Sequence, residues 1–550
     1  MWLRSLFDRR TAQLPITTQL IPAVCKVQIL SHSNPSLTPG QLLARNTFWN
    51  LVGLVAPMAV GLFAIPYLIE GMGKERFGLL AIIWMGVGYF SLFDIGIGRA
   101  LTKLVAERLG RDQLSDLPGL VWTALYLISG LGLVGMIIVL LTAEPLIVKV
   151  LNVPVDLQAE GVMSFRLLGA SLPIVIATSA VVGILEANQR FARIAAVRAP
   201  LGVMTFLGPV ISLQFSPSLV GATSLLVATR VAAFAFYYAS AAHVSSHLKR
   251  PSGIAIKHIR SLLTFGGWLT ISTVIGPVMI YFDRFLIGSL LTLTAVAYYT
   301  TPYEVLSRIQ VLPQSLFGVL FPAFAATHAA DAAKLAHLYD RALYFLMLVM
   351  VPIMALLFLF AQELLQIWLG AEFSRASAGV ARWLVLGWLH VIVARAHSIV
   401  LQAVGRPDLL AKAHMCELVP YLVLLWMLTS EYGIIGTAIA WFVRALMDAI
   451  ALPMLTAYAV QPLSRGVRRT FGVLPLIWIG FGTLYWVESI VLKAAIAVVL
   501  VSVCVRVLIG PFRQLLLTKA SAEEMQSSVT KDAFLVRDAR SKSRSNETEV

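Results

Sequence analysis

Apolar runs of about 20 residues recur from about residue 47 to residue 510, separated by short polar loops. Each is long enough to cross a hydrocarbon core of roughly 30 Å as a helix. Fourteen such spans fit, near 47–69, 77–98, 118–141, 164–185, 195–214, 219–241, 262–288, 295–324, 340–361, 380–404, 411–429, 433–458, 471–488 and 490–510. Strand-like alternation at every second residue is absent, which excludes a barrel. The pattern predicts an all-α integral membrane protein.

The pattern also repeats. FWNLVGLVAP from Phe48 is matched by GWLTISTVIGP from Gly267, LEANQRFARIAA from Leu185 by LQAVGRPDLLAK from Leu401, and VGATSLLVATR ending at Arg230 by IGTAIAWFVR ending at Arg444. The offset stays at about 214 to 219 residues. An even number of spans per copy keeps both copies in one orientation, related by an axis along the membrane normal. This predicts two six-helix lobes around a central cavity, followed by a C-terminal helix pair. The expected organisation is a basic cytoplasmic extension (1–44), a first lobe (45–243), a second lobe (260–459), the last helix pair (470–510) and a polar cytoplasmic tail (511–550).

Composition agrees: 58% of the 550 residues are hydrophobic and 13% charged, against roughly 25% charged in soluble domains. The net charge of +15 does not point to nucleic acid, because Lys and Arg fall in alternate loops. Arg99, Lys103, Arg108 and Arg111 begin the basic series, and Arg465, Arg468, Arg469, Arg513 and Lys519 end it. The intervening loops are neutral or acidic, carrying Glu144, Asp156, Glu160, Glu363, Glu372 and Glu431. The positive-inside rule then puts both termini in the cytoplasm. Cys25, Cys416 and Cys504 are far apart, with no CxxC spacing, so neither a disulfide framework nor a zinc site is expected. Residues 1–44 lack the apolar core and cleavage site of a secretory signal.

Candidate chemistry lies in ionisable residues inside the spans, where an unpaired charge costs at least a few kcal/mol. They are Asp94, Arg166, Arg198 and Arg230 in the first lobe, and Asp283, Arg284, Glu304, Arg308, Arg395, Arg444 and Asp448 in the second. Arginine outnumbers carboxylate, and its planar fork suits phosphate oxygens. Arg284, Arg308, Arg230, Arg395 and Arg444 are therefore the expected substrate-binding residues, and Asp94, Arg99, Asp283, Glu304 and Asp448 the expected gate or ion-coupling residues. Structural readings compete. Glu304 with Arg308, and Arg444 with Asp448, stand four apart on a helix face and can neutralise one another. Arg166, Arg190 and Arg198 lie near span ends, where long side chains reach the interface. Asp283 points about 100° away from Arg284 around the helix, which argues against their pairing and places Arg284 in the cavity. His390 and His397 suit either a proton relay or a packed, hydrogen-bonded role. Pro57, Pro66, Pro277, Pro302, Pro313 and Pro322 can kink their helices. No HExxH, P-loop or GxSxG pattern occurs, so no enzyme activity, metal or cofactor is expected.

Several stretches carry a family resemblance: NTFWNLVGLVAP, GKERFGLLAIIW, YFSLFDIGIGRALTKLVAE and IYFDRFLIGSLLTLTAVAYYTTPYEV. Together they resemble the Wzx-type polysaccharide transporters, flippases of lipid-linked oligosaccharides within the multidrug/oligosaccharidyl-lipid/polysaccharide (MOP) exporter superfamily, over most of residues 45–460. The resemblance implies two six-helix bundles that open alternately inward and outward. It implies a substrate, an undecaprenyl-diphosphate-linked oligosaccharide, flipped across the bacterial inner membrane for O-antigen, capsule or exopolysaccharide assembly. Membrane lipid and the polysaccharide polymerase or export machinery are the further partners it implies. An ion-coupled multidrug exporter of the same superfamily and a lipid II flippase remain alternatives. A membrane polymerase or ligase fits less well, because the longest external loops are about 20 residues. Spans two and eight are expected to face each other across the cavity, with Asp94 either a gate paired with Arg99 or an arginine of the other lobe, or a proton-coupling carboxylate.

Overall fold

The computed structural model describes residues 39–89, 97–110, 114–188, 190–245, 248, 251–330 and 332–502, with no strand among them. Asp94, and nearly all of the expected terminal extension and tail, lie outside the described residues. The helices are α1 Pro39–Met72, α2 Lys74–Tyr89, α3 Ile97–Gly110, α4 Leu117–Pro145, α5 Val155–Ala170, α6 Leu172–Ala187, α7 Phe191–Leu213 and α8 Leu219–Val244. After a linker come α9 Ile256–Leu290, α10 Leu293–Arg308, α11 Val311–Ala330, α12 Ala332–Leu359, α13 Ala361–Leu369, α14 Ala371–Ala403, α15 Pro407–Ala459 and α16 Ser464–Tyr485, then α17 Ile490–Ser502.

The helices have the character of lipid-facing spans. In the stretch Leu117–Val150 only 28% of the most apolar window is buried, and Leu133, Val134, Ile137, Ile138 and Leu141 stand exposed along it. A helix that is apolar all round and uncovered by protein belongs in a bilayer. Seven described stretches are long and apolar enough to cross a membrane, and the protein is a multi-pass membrane protein. One of the seven, α15, counts twice. At Gly433 the backbone takes φ 61° and ψ −143°, a left-handed conformation that glycine adopts at little cost, and the chain folds back on itself. The hairpin is tight: Thr429 and Thr437 hydroxyls meet at 2.9 Å, and a Cβ on Gly436 would lie 1.8 Å from the Leu428 carbonyl oxygen.

Two groups of helices follow from the packing. In the first, α6 lies against α3, α4 and α8, and α7 against α8; in the second, α14 lies against α10, α11, α12, α13 and α15, and α9 against α15. They meet where α9 touches α2, α3 and α4 and where α10 touches α2. Spans two and eight therefore pack directly against each other at one end instead of standing apart across a cavity. Span eight is divided into α10 and α11 at Ile309 and Gln310. The span expected near 164–185 is interrupted at Ser171: α5 ends at Ala170, and Pro173 stands in the first turn of α6, where its missing N–H costs nothing.

Candidate functional site

A charged cluster sits where α9 and α10 cross in the second group. The turn between them is set by Thr292, whose hydroxyl accepts a hydrogen bond from the Ala295 N–H at 3.0 Å and so caps α10. The return of the chain brings Tyr299 beside Asp283, to which its hydroxyl donates at 2.6 Å. Arg284 donates from its backbone N–H to Asp283 Oδ1 at 2.7 Å and from Nη1 to the same oxygen at 3.0 Å. Its other nitrogen, Nη2, reaches Glu304 Oε1 at 3.3 Å, and Glu304 Oε2 accepts from Arg308 at 3.3 Å. Tyr303 closes the site, with its ring centroid 4.2 Å from the Arg284 Cζ, a cation–π distance.

This overturns two expectations. Asp283 does pair with Arg284, because the guanidinium folds back along the helix and the carboxylate bends round to meet it. Arg284 is also not a cavity residue: it is 1% exposed and Asp283 is fully buried. Buried ionised groups need partners on both sides, and the run Asp283–Arg284–Glu304–Arg308 supplies two carboxylates and two guanidiniums. Arg308 reaches furthest outward, with 35% of its side chain exposed against 24% for Glu304, and it lies over Phe206 of α7 with its Cζ 5.6 Å from the ring centroid.

A second cluster sits inside the α15 hairpin. Arg444 Nη1 lies 3.3 Å from Asp448 Oδ2 and 4.0 Å from Glu417 Oε1, and His414 Nε2 lies 3.6 Å from Asp448 Oδ1. The four-residue pairings expected for Glu304 with Arg308 and for Arg444 with Asp448 are both present. Glu417 and His414 were missed by the sequence reading. Glu417 carried the same signal as the others, a carboxylate inside an apolar run; what the sequence lacks is the hairpin that carries it to Arg444.

The remaining candidates are scattered. Arg230 is half-buried and donates to the Leu226 carbonyl at 2.9 Å; among the described residues no carboxylate reaches it. Arg395 is exposed on α14, and Arg99 and Arg198 are exposed too. Arg166 pairs with Glu144 at 3.1 Å. His390 and His397 are fully buried, His390 between the Leu386 carbonyl and the Trp478 indole N–H and His397 against the Tyr339 hydroxyl at 2.6 Å. Both have the packed, hydrogen-bonded role.

A seam joins the two groups on the face that carries the neutral and acidic loops. Lys74 pairs with Glu372, which also accepts from the Tyr298 hydroxyl at 3.0 Å. Asn152 donates from Nδ2 to the carbonyls of Ser289 and Leu291 at 3.0 and 2.8 Å, and its N–H to Gly288 at 2.9 Å. The Trp368 indole donates to the Leu62 carbonyl at 2.7 Å. On the opposite face Asp116 gathers Lys257 at 2.5 Å, Arg108 at 3.2 Å and His258 at 3.4 Å, which pins the inter-group linker to α3 and α4.

Residues 43–328 match the family model described as "Polysaccharide biosynthesis protein". The chain belongs to this family. A Shigella flexneri protein whose name describes an O-antigen transporter is 28% identical over 416 residues, 75% of this chain and 97% of the relative. Among solved structures, an inward-facing MATE transporter of the MOP superfamily superposes with a TM-score of 0.66 at 15% identity, over 76% of this chain and 99% of that one. The lipid II flippase MurJ in an inward closed conformation gives 0.61 at 15% identity, over 85% and 99%. At that identity the likeness is one of fold.

Proposed function

We propose that the protein is a polysaccharide flippase that moves a lipid-linked oligosaccharide, an undecaprenyl-diphosphate-linked sugar unit, across the bacterial inner membrane by alternating access. One observation carries the reading from family to mechanism: the repeat-related arginines Arg230 and Arg444 differ in charge compensation. Arg444 is held by Asp448 and Glu417. At the position matching Asp448, four residues after Arg230, the first copy has Phe234. Arg230 thus keeps a positive charge that an anionic group can use, and a diphosphate offers the oxygens that a guanidinium fork accepts. Arg395 and the outward end of Arg308 add cationic groups, while Arg284 and Arg444 hold the wall. The substrate's prenyl tail stays in lipid.

The seam gives this reading its conformation. With the acidic-loop face joined through Asn152, Trp368 and Lys74, and that face assigned outside by the positive-inside rule, the protein is closed to the outside, and both termini are cytoplasmic. The test is removal of the gene followed by mass spectrometry of prenyl-linked sugars in oriented membrane vesicles. A complete repeat unit accumulating on the cytoplasmic leaflet is expected. Unchanged prenyl-linked sugars together with altered drug resistance would replace the flippase by a multidrug exporter.

A further inference from the structure

The α15 hairpin holds more negative charge than it can neutralise. Glu417 and Asp448 are each 6% exposed and Arg444 is 9% exposed, so two carboxylates share one guanidinium in the protein interior. Glu417 Oε1, Asp448 Oδ1 and Arg444 Nε are buried without a hydrogen-bond partner, and one atom each of His414, Glu417 and Asp448 lie within 4.8 Å of one another. With both acids ionised the group carries a net charge of −1 among apolar side chains, a cost of several kcal/mol in a membrane protein. Two carboxyl groups this close do not both ionise readily, and one added proton removes both the charge and the unsatisfied oxygen.

Among the described residues, the surroundings offer no other counter-charge. From α9 and α10, Arg284 is taken up by Asp283 and Glu304, and Tyr303 faces the cluster through Trp441. Tyr421 lies over Arg444, 5.7 Å from its Cζ. From α14, His390 is occupied by Leu386 and Trp478, and Arg395 is turned outward. A metal ion is the poorer occupant: it would sit beside a guanidinium and find two carboxylates and an imidazole, short of the six or so oxygens that hard cations take. A proton needs no coordination shell. His414, with 33% of its side chain exposed, is the only one of the three with access to water, and lies seven residues inside the start of α15, toward the basic-loop face.

We propose that Glu417, Asp448 and His414 form a proton-binding site, in which the two carboxyl groups share one proton and His414 exchanges it with water on the basic-loop face. Proton binding here is independent of the substrate. That its uptake and release drive substrate movement rests on the flippase reading.

The test is infrared difference spectroscopy of the full protein in lipid, without substrate, titrated from mildly acid to mildly alkaline pH. The expected result is a protonated-carboxyl C=O band that disappears on titration and is lost in both Glu417→Gln and Asp448→Asn. His414→Gln should keep the band and slow its hydrogen–deuterium exchange severalfold. A wild-type spectrum with no such band, or a band that both variants retain, overturns the site. Loss of the band on adding sodium or magnesium at fixed pH overturns the proton in favour of a metal. Unchanged exchange in His414→Gln overturns the assigned route. Because no substrate is present, a failed flippase assay leaves these outcomes readable.

Discussion

A methyl group on Gly78 would lie 2.0 Å from the carbonyl oxygen of Leu293. Two backbones from opposite groups therefore touch at the seam, and only hydrogen fits between them. Gly78→Ala is expected to prise the seam apart without unfolding either bundle. Cysteines replacing Lys74 and Glu372 report it: they should cross-link readily in the parent and poorly when Gly78→Ala is added.

Lys74 and Glu372 face each other across the same seam from positions 298 residues apart. Lys74→Glu or Glu372→Lys alone should shift the protein toward the outward-open form and lower flux. The double swap should restore both, since the attraction depends on the pair and not on which partner carries which sign. High salt should blunt the difference, as for any exposed pair. Spin-label distances across the seam give the populations.

The repeat-related arginines should fail in different ways. Arg444→Ala leaves Asp448 and Glu417 without their cation, and losing one partner of a buried pair costs about 3–5 kcal/mol, so the protein level and melting temperature should drop. Arg284→Ala should do the same by abandoning Asp283. Arg230→Ala strands no carboxylate and should leave folding unchanged while lowering polysaccharide output, with Arg230→Lys rescuing only partly because the fork is lost. Thermal melting beside a flipping assay separates the two patterns. Normal output from Arg230→Ala would remove that residue from the substrate path.

The linker clamp should be acid-sensitive. Lys257, followed by His258 and Arg108, holds the Asp116 carboxyl below its ordinary range, and burial pushes the His258 imidazole down. Both groups bind protons more readily when the clamp is undone, so its stability is full above the usual imidazole value of about 6.5. It falls as pH drops below that value, first through His258 and then, at lower pH, through Asp116. Protection of the amides in residues 251–260 from hydrogen exchange, taken relative to the intrinsic rate at each pH, should fall on acidification and fall less in His258→Asn.

Hydropathy made the helical spans readable, because a span must be apolar along its whole length wherever it packs. Charge pairs four residues apart were equally readable, since the helix itself sets their spacing. Two kinds of feature were not. The Asp283–Arg284 contact depends on how far a long side chain can bend, which helical angles alone do not give. The contacts of Glu417 with Arg444, Lys74 with Glu372 and Asn152 with Ser289 depend on which surfaces meet, and no local pattern encodes that. The break inside span eight was foreshadowed by its prolines, although its location at Ile309 and Gln310 follows no proline in the immediately preceding turn.

The reversal at Gly433 works as a ruler for the carboxyl pair. Glu417 lies 16 residues before it and Asp448 15 residues after it, so the two acids meet only because both arms are counted from the same hinge. One residue inserted into either arm would turn its acid by about 100° and dissolve the pair without changing any group in it. Variation in the short segment between Thr429 and Thr437 therefore acts as a phase control on a carboxyl pair that lies well away from the segment itself.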